Sequence, residues 1–409
     1  MEFEIKNGVL ERYEGEEEYL IIPDNVIVIG KDVFSGCEGL VSVTIPESVI
    51  IIEEGAFASC RDLTDITIPE GVIYIGERAF MDCENLKRIT LPGSIKSIRE
   101  AVFEGCRSLN RINISADSAN NPEYVATNKA LYNKDKTELI CAFKNIRSMV
   151  IPETVTTIKT KAFDYCNSLV ILTIPKNVRI IESFAFDYCN NLTDLTISEG
   201  PERIDYYAFS GCSSLTGVTI PASVKSIGSC AFRGCSNLSD ITISEGVEAI
   251  GDLVFNCGNL NSLTIPESVE VIGKNALFNC DKLELEAYCV AAKTLEFSKD
   301  SHPKLLIFPK VSINECKDTL HKELCAYGFI AKPEVYTDKK IINDYISYIS
   351  GRRKQFLPEI YKEDKVQVIK LLGEAKKITK ANIDEYIEPA LKAKATRCLA
   401  YLKDLKNMH

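Results

Sequence analysis

The 409-residue sequence predicts a β-rich α/β fold: a solenoid of stacked coils with parallel strands, followed by a small all-α C-terminal domain. Three observations lead there. A 23-residue period runs through most of the chain, its strand-like segments alternate apolar and polar residues, and beyond about residue 310 the period gives way to helical spacing.

Taken from the N-terminus, "FEIKNGVLERYEGEEEYLIIP" places Asn7-Gly8 between two apolar runs, the signature of a hairpin. Residues 1–22 are expected to cap the open end of the solenoid, because a bare terminal coil exposes strand edges and core. About ten rungs fill residues 23–310. Cys37, Cys60, Cys83 and Cys106 are 23 apart, as are Cys166, Cys189, Cys212 and Cys235, and Cys257 and Cys280 complete the series. A leucine follows each by three residues, from Leu40 to Leu283, and a phenylalanine precedes each, from Phe34 to Phe278.

The unit reads IP-x-x-V-x-x-I-G-x-x-A-F-x-x-C-x-x-L-x-x-I-T. In "LTDITIP", residues 63–69, Ile66 and Ile68 alternate with Asp65 and Thr67, which predicts a strand with one buried face. Proline ends that strand, where a missing amide costs the ladder nothing. The "GERAFMDC" type of segment predicts a helical or 3₁₀ turn on the opposite side. Residues 110–150 replace one rung with a second hairpin around Asn133-Lys134-Asp135-Lys136, expected to insert between the fourth and fifth rungs.

Residues 311–409 predict helices. Ile341, Ile342, Tyr345, Ile346 and Ile349 share a helical face, with Thr337 or Asp338 placed to cap and Gly351 to stop. Val366, Ile369 and Leu372 repeat the pattern. The last stretch predicts two helices divided at Pro389, which suits a first turn but not an interior.

With its IP, A-F, C-x-x-L and I-T-I-P elements, the repeat resembles the BspA-like type of leucine-rich repeat over about residues 20–283. The resemblance implies a right-handed solenoid whose parallel strands line one face. It also implies a relationship to surface and secreted adhesins, which many members of that family are.

Charge is unevenly placed along the chain. Residues 1–310 carry 29 basic and 44 acidic side chains, residues 311–409 carry 19 and 14, and the whole stands at −10. An acidic solenoid repels nucleic acid and anionic membrane, so neither is an expected partner. The sequence starts without a signal-like apolar run, and nothing approaches the ~18 consecutive apolar residues of a membrane span. A cytoplasmic protein is expected, with a secreted or surface protein as the alternative if an export signal has been removed.

Ten cysteines in one repeated slot read as small buried apolar groups, and sixteen thiols without a pairing framework predict no disulfides and a reducing compartment. The chain has no C-x-x-C and none of the common nucleotide or hydrolase motifs. The three histidines, His302, His321 and His409, read as surface residues. No metal, no cofactor and no catalytic residue is therefore expected.

Function then rests on positions the fold leaves open. Between V and I of the first three rungs stand Ile27-Val28, Ile50-Ile51 and Ile73-Tyr74, where most other rungs have a polar residue. This predicts an apolar stripe formed by Ile27, Ile50, Ile51, Ile73 and Tyr74, either open to a partner or covered by the N-terminal hairpin. A strand slot that changes from rung to rung supplies Asp65, Arg88, Arg111, Asp194 and Asp240 as further candidate contacts. Tyr165, Tyr188, Tyr206 and Tyr207 read as rung-to-rung packing ahead of binding. The predicted function is a monomeric, non-enzymatic scaffold for a protein partner, an intracellular adaptor, with an adhesin for host or matrix proteins as the alternative.

Overall fold

A computed structural model describes residues 2–115, 122–295, 303–316 and 319–408. The period appears as a parallel-strand solenoid in which each coil contributes to three stacked ladders. The wide ladder contains the predicted strands, such as Asp65–Thr67, Arg88–Leu91 and Arg111–Ile114, paired in parallel with equivalent residues opposite one another. Ile66 and Ile89 point into the core while Thr67 and Thr90 face outward, as the alternation predicts.

The V-x-x-I segment forms a second, narrow ladder that the alternation did not reveal. Its strands are two residues long: Val28–Ile29, Ile51–Ile52, Tyr74–Ile75 and Ser97–Ile98. A two-residue strand is too short to display a period, and its hydrogen bonds go to neighbouring coils rather than within its own.

The A-F segment is not the helical turn that was expected. It runs as consecutive turns whose amides reach across to the next coil: Phe34 N–H donates to Ala56 O at 2.9 Å and Phe57 N–H to Ala79 O at 2.8 Å. Two left-handed residues per coil make this possible. Asp32 (φ 55°), Arg78 (φ 52°) and Ala101 (φ 53°) occupy the first position, and Gly36 (φ 77°) and Asp82 (φ 55°) the second. Such conformations cost roughly 1 kcal/mol in a non-glycine residue, which the cross-coil bonds offset.

The core is a column of rings and thiols. Phe34, Phe57, Phe80 and Phe103 stack with centroids 5.0, 5.4 and 6.2 Å apart, and Phe163, Phe186, Phe209, Phe232 and Phe255 form a second column. Phe278 leaves the series: it is 47% exposed, and Leu277 fills the ring slot. The tripeptide order Ala276-Leu277-Phe278 puts leucine three residues before Cys280, so the turn points the phenylalanine outward.

Between the columns lies the insertion. Tyr124–Ala126, Ala130–Asn133 and Glu138–Ala142 make an antiparallel three-stranded sheet, one strand more than expected. Glu138–Ala142 then pairs in parallel with Thr157–Ile158, and Ser148–Val150 with Ile171–Ile174. The N-terminus has the same plan: Glu2–Lys6 and Val9–Glu14 form a hairpin, Val9–Glu14 starts the narrow ladder and Tyr19–Ile21 the wide one. The insertion is thus a second cap. Both ladders break beside it, after Ser97–Ile98 and after Arg111–Ile114, so two capped solenoids stand end to end.

The last parallel strand is Leu305–Ile307. Helix α1 (Thr319–Ala331) lies so close to it that a Cβ on Gly328 would stand 1.7 Å from Leu306 O. Five more helices follow: α2 (Lys339–Gly351), α3 (Arg353–Lys362), α4 (Val366–Glu374), α5 (Asp384–Lys392) and α6 (Thr396–Met408). Asp338 caps α2 by accepting from Lys340 N–H at 2.7 Å. Pro389 corrects the sequence reading, for it lies inside α5 and not at a first turn. The break between α5 and α6 falls instead at Lys394, in the left-handed region at φ 55°.

Candidate interaction surfaces

The ten predicted contact residues separate onto the outer faces of two different ladders. On the narrow ladder, Ile27, Ile50 and Ile73 stand 44, 41 and 42% exposed, while Ile51 and Tyr74 are half-buried. The three isoleucines are joined coil to coil, Ile50 N–H to Ile27 O at 2.8 Å and Ile73 N–H to Ile50 O at 2.9 Å. The N-terminal hairpin borders this stripe without covering it. Ile27 N–H donates to Gly8 O at 2.7 Å, and Gly8 (φ 80°) is needed there because a Cβ would meet Ile27 Cδ1 at 2.9 Å.

On the wide ladder, Asp65, Arg88 and Arg111 occupy one register. Arg88 pairs with Asp65 at 2.6 Å, and Arg111 Nε donates to Asn113 Oδ1 at 2.9 Å. Asp194 and Asp240 belong to sheets beyond the insertion, aligned with Ile171 and with Gly217 and Ser262. The structure therefore does not bring them together with the first three.

The tyrosines divide as well. Tyr165 and Tyr188 stack at 5.1 Å, with the Arg107 guanidinium 4.4 Å from the Tyr165 centroid. Tyr207 stacks instead on Phe184 at 4.8 Å, below the Lys161 ammonium, and Tyr206 is exposed apart from both columns.

The junction between the two solenoids holds a buried ionic group that periodicity could not announce. Lys144 and Asp164 are 5% and 0% exposed. Lys144 Nζ donates to Asp164 O, and Lys161 reaches Glu104 at 3.1 Å, Asp164 at 3.5 Å and Asp187 at 3.0 Å. Burial raises the Asp164 pKa, opposed by the Lys144 and Lys161 charges and by the Gly105 amide. A cleft of about 200 Å³ opens beside them, lined on its charged side by Arg99, Glu100, Glu104, Glu138, Lys159 and Lys161. The slot that Lys144 fills holds polar residues in other coils too, as Arg233 after the second "CAF" shows, so the sequence carried no signal for its burial.

The ladder thiols are core groups. From the second rung on each Sγ meets the Phe carbonyl of a preceding coil, as in Cys60 to Phe34 O at 3.2 Å and Cys235 to Phe209 O at 3.2 Å, except that Cys166, next to the insertion, faces Ala142 O at 3.9 Å. Burial pushes the Cys235 thiol well above its usual range. None of the sixteen cysteines, all among the described residues, is disulfide-bonded.

Two cysteines outside the ladders meet a histidine. The donor atoms of Cys316, His321 and Cys325 all lie within 4.8 Å of one another. His321 is 2% exposed, which corrects the surface role expected for it, and His302 and His409 fall outside the described residues. The sequence signal was C-x₄-H-x₃-C, with the last two ligating types one helical turn apart.

Among the described residues, no helix is long and apolar enough to cross a membrane. In sequence, no curated protein matches the chain. In structure it is similar to a leucine-rich repeat protein from Eubacterium ventriosum, at 25% identity and a TM-score of 0.52, over 66% of this chain and 87% of that one. The pneumococcal vaccine antigen PcpA shares the fold, at 20% identity and a TM-score of 0.50, over 72% of this chain and 80% of that one. A family model described as the BspA type leucine rich repeat region matches residues 5–131, 140–216 and 180–293, in six copies. The chain belongs to the BspA-type leucine-rich repeat family.

Proposed function

We propose that the protein is a non-enzymatic scaffold that holds a protein partner on the apolar stripe of its first solenoid, acting inside the cell as an adaptor. Membership of a repeat family built for extended contact surfaces supports the scaffold. The observation that carries the site is the column of Ile27, Ile50 and Ile73, three large apolar side chains exposed in register where the coil's own core has no need of them. Sixteen cysteines whose spacing offers no pairing framework, ten of them in one repeated core slot, support a reducing compartment.

The test is a double substitution, Ile50→Asp with Ile73→Asp, chosen because Ile51 and Tyr74 are half-buried and would disturb the coil. Circular dichroism establishes that the variant is folded. A partner captured by the wild type, identified and then bound as a purified protein, should lose at least tenfold in affinity for the variant. Unchanged affinity overturns the stripe. Fractionation of cells making the full natural chain tests the compartment: recovery at the cell surface, with binding to host or matrix proteins, replaces the adaptor by an adhesin.

A further inference from the structure

We propose that Cys316, His321 and Cys325 form a binding site for a thiophilic divalent cation, zinc foremost, at the root of the helical region. The two sulfurs stand 3.7 Å apart. Two thiolates each about 2.3 Å from a zinc ion at the tetrahedral angle are about 3.8 Å apart, so the pair already has the spacing of a tetrahedral edge. A disulfide, at about 2.05 Å, would require the sulfurs to close on one another and would leave the imidazole without a part.

The donors come from two elements held independently. His321 and Cys325 are four residues apart on α1 and project from one side of it. Cys316 ends the single 3₁₀ turn Ile313–Glu315, which is fixed by Ser312: its Oγ accepts from Asn314 N–H at 3.2 Å, its own N–H donates to Glu315 at 3.0 Å, and its hydroxyl reaches Asp344 on α2 at 2.6 Å. The close approach of α1 to Leu305–Ile307 at Gly328 holds the other side. Phe308, from the end of that strand, meets the His321 ring edge-on with centroids 5.7 Å apart. The site is preorganised by packing that does not involve the ion.

Its surroundings suit a complex without net charge. Cys316, His321 and Cys325 are 4, 2 and 0% exposed. One Zn²⁺ with two thiolates and a neutral imidazole sums to zero, which an apolar pocket accepts at far lower cost than a bare ion. Binding converts Zn²⁺, two thiols and the imidazole into the bis-thiolate complex and releases two protons. Three protein donors leave a fourth coordination position for a further ligand.

The experiment uses the full chain, reduced and freed of metal by a chelator. Titrated with Co²⁺ alone, it should develop thiolate-to-cobalt charge-transfer absorption that saturates at one ion per chain and is displaced by Zn²⁺. Cys316→Ala, His321→Ala and Cys325→Ala should each weaken binding by about 100-fold or more, whereas the ladder variant Cys235→Ala should keep it. Where a variant fails to fold, ¹¹³Cd NMR of the wild type decides, because among the cysteines cadmium should couple only to the β-protons of Cys316 and Cys325. Absence of a saturable band at stoichiometric cobalt, a band that survives in folded Cys316→Ala, or cadmium coupling to other cysteines overturns the site.

Discussion

Gly105 donates its amide to the Asp164 carboxylate at 2.8 Å, across the junction between the two solenoids. In the preceding coils the equivalent amide reaches a backbone carbonyl, Gly36 to Ala58 O at 2.8 Å and Asp82 to Glu104 O at 2.7 Å. The second cap supplies no such carbonyl, and a side chain takes its place. The substitute is charged, and therefore needs Lys144 and Lys161 around it.

The junction should show strong coupling between its charges. Lys144→Met removes an ammonium from a buried carboxylate and should cost about 3 kcal/mol, and Asp164→Asn a similar amount. The double variant should lose less than the sum by at least about 1 kcal/mol, measured by urea denaturation. Simple additivity would show that the two groups are independent.

The ladder thiols should tolerate an oxygen better than a deletion. Cys235→Ser keeps a donor facing Phe209 O and should cost about 1 kcal/mol, whereas Cys235→Ala loses both the bond and packed volume and should cost about 2 kcal/mol. Without the carbonyl opposite, serine would have been the costlier change. Thermal denaturation of both variants distinguishes the two orders.

Acid should loosen the last helix. Asp364 accepts from Cys398 N–H at 2.9 Å and Arg397 N–H at 3.0 Å, at the start of α6. Burial raises its pKa, but these bonds and the Arg397 side chain outweigh it and hold the carboxyl at about 2 instead of 3.8. The folded value is depressed, so this stabilisation is complete above about pH 4 and disappears as pH falls towards 2. Asp364→Asn should cost about 1–2 kcal/mol at neutral pH and less at pH 2, read from unfolding at several pH values.

The ring columns should report on their own halves of the molecule. Phe57→Leu and Phe209→Leu each remove a fully buried ring and should cost about 1–3 kcal/mol. Hydrogen exchange should show faster opening before residue 115 for the first and after residue 122 for the second. Uniform acceleration along the whole solenoid would contradict separate columns.

What the sequence disclosed was whatever recurs. The Ile66 and Ile68 alternation, the Phe and Cys columns and the apolar pairs at 27, 50 and 73 are visible because each coil repeats its neighbour's chemistry. The narrow ladder escaped because Ile51–Ile52 is too short to show a period, and the A-F turn because Asp32, Arg78 and Ala101 adopt left-handed backbone without a glycine to mark it. Pro389 misled because burial of Tyr386 and Ala390 outweighs the one hydrogen bond it removes from α5. Lys144, Asp164 and the Cys316, His321 and Cys325 group occur once each, and what brings such residues together is contact between segments distant in the chain.

The internal cap also governs how the molecule yields. In a stack where each coil touches only its neighbours, disorder spreads until it meets an interface it cannot cross cheaply. Here that interface is the seam at which the narrow ladder, continuous on either side, is interrupted, so heat or tension should separate the protein into two cooperative blocks. A change in length within either block need not be felt by the other, and coils can be gained or lost on one side of the seam while the opposite side keeps its register.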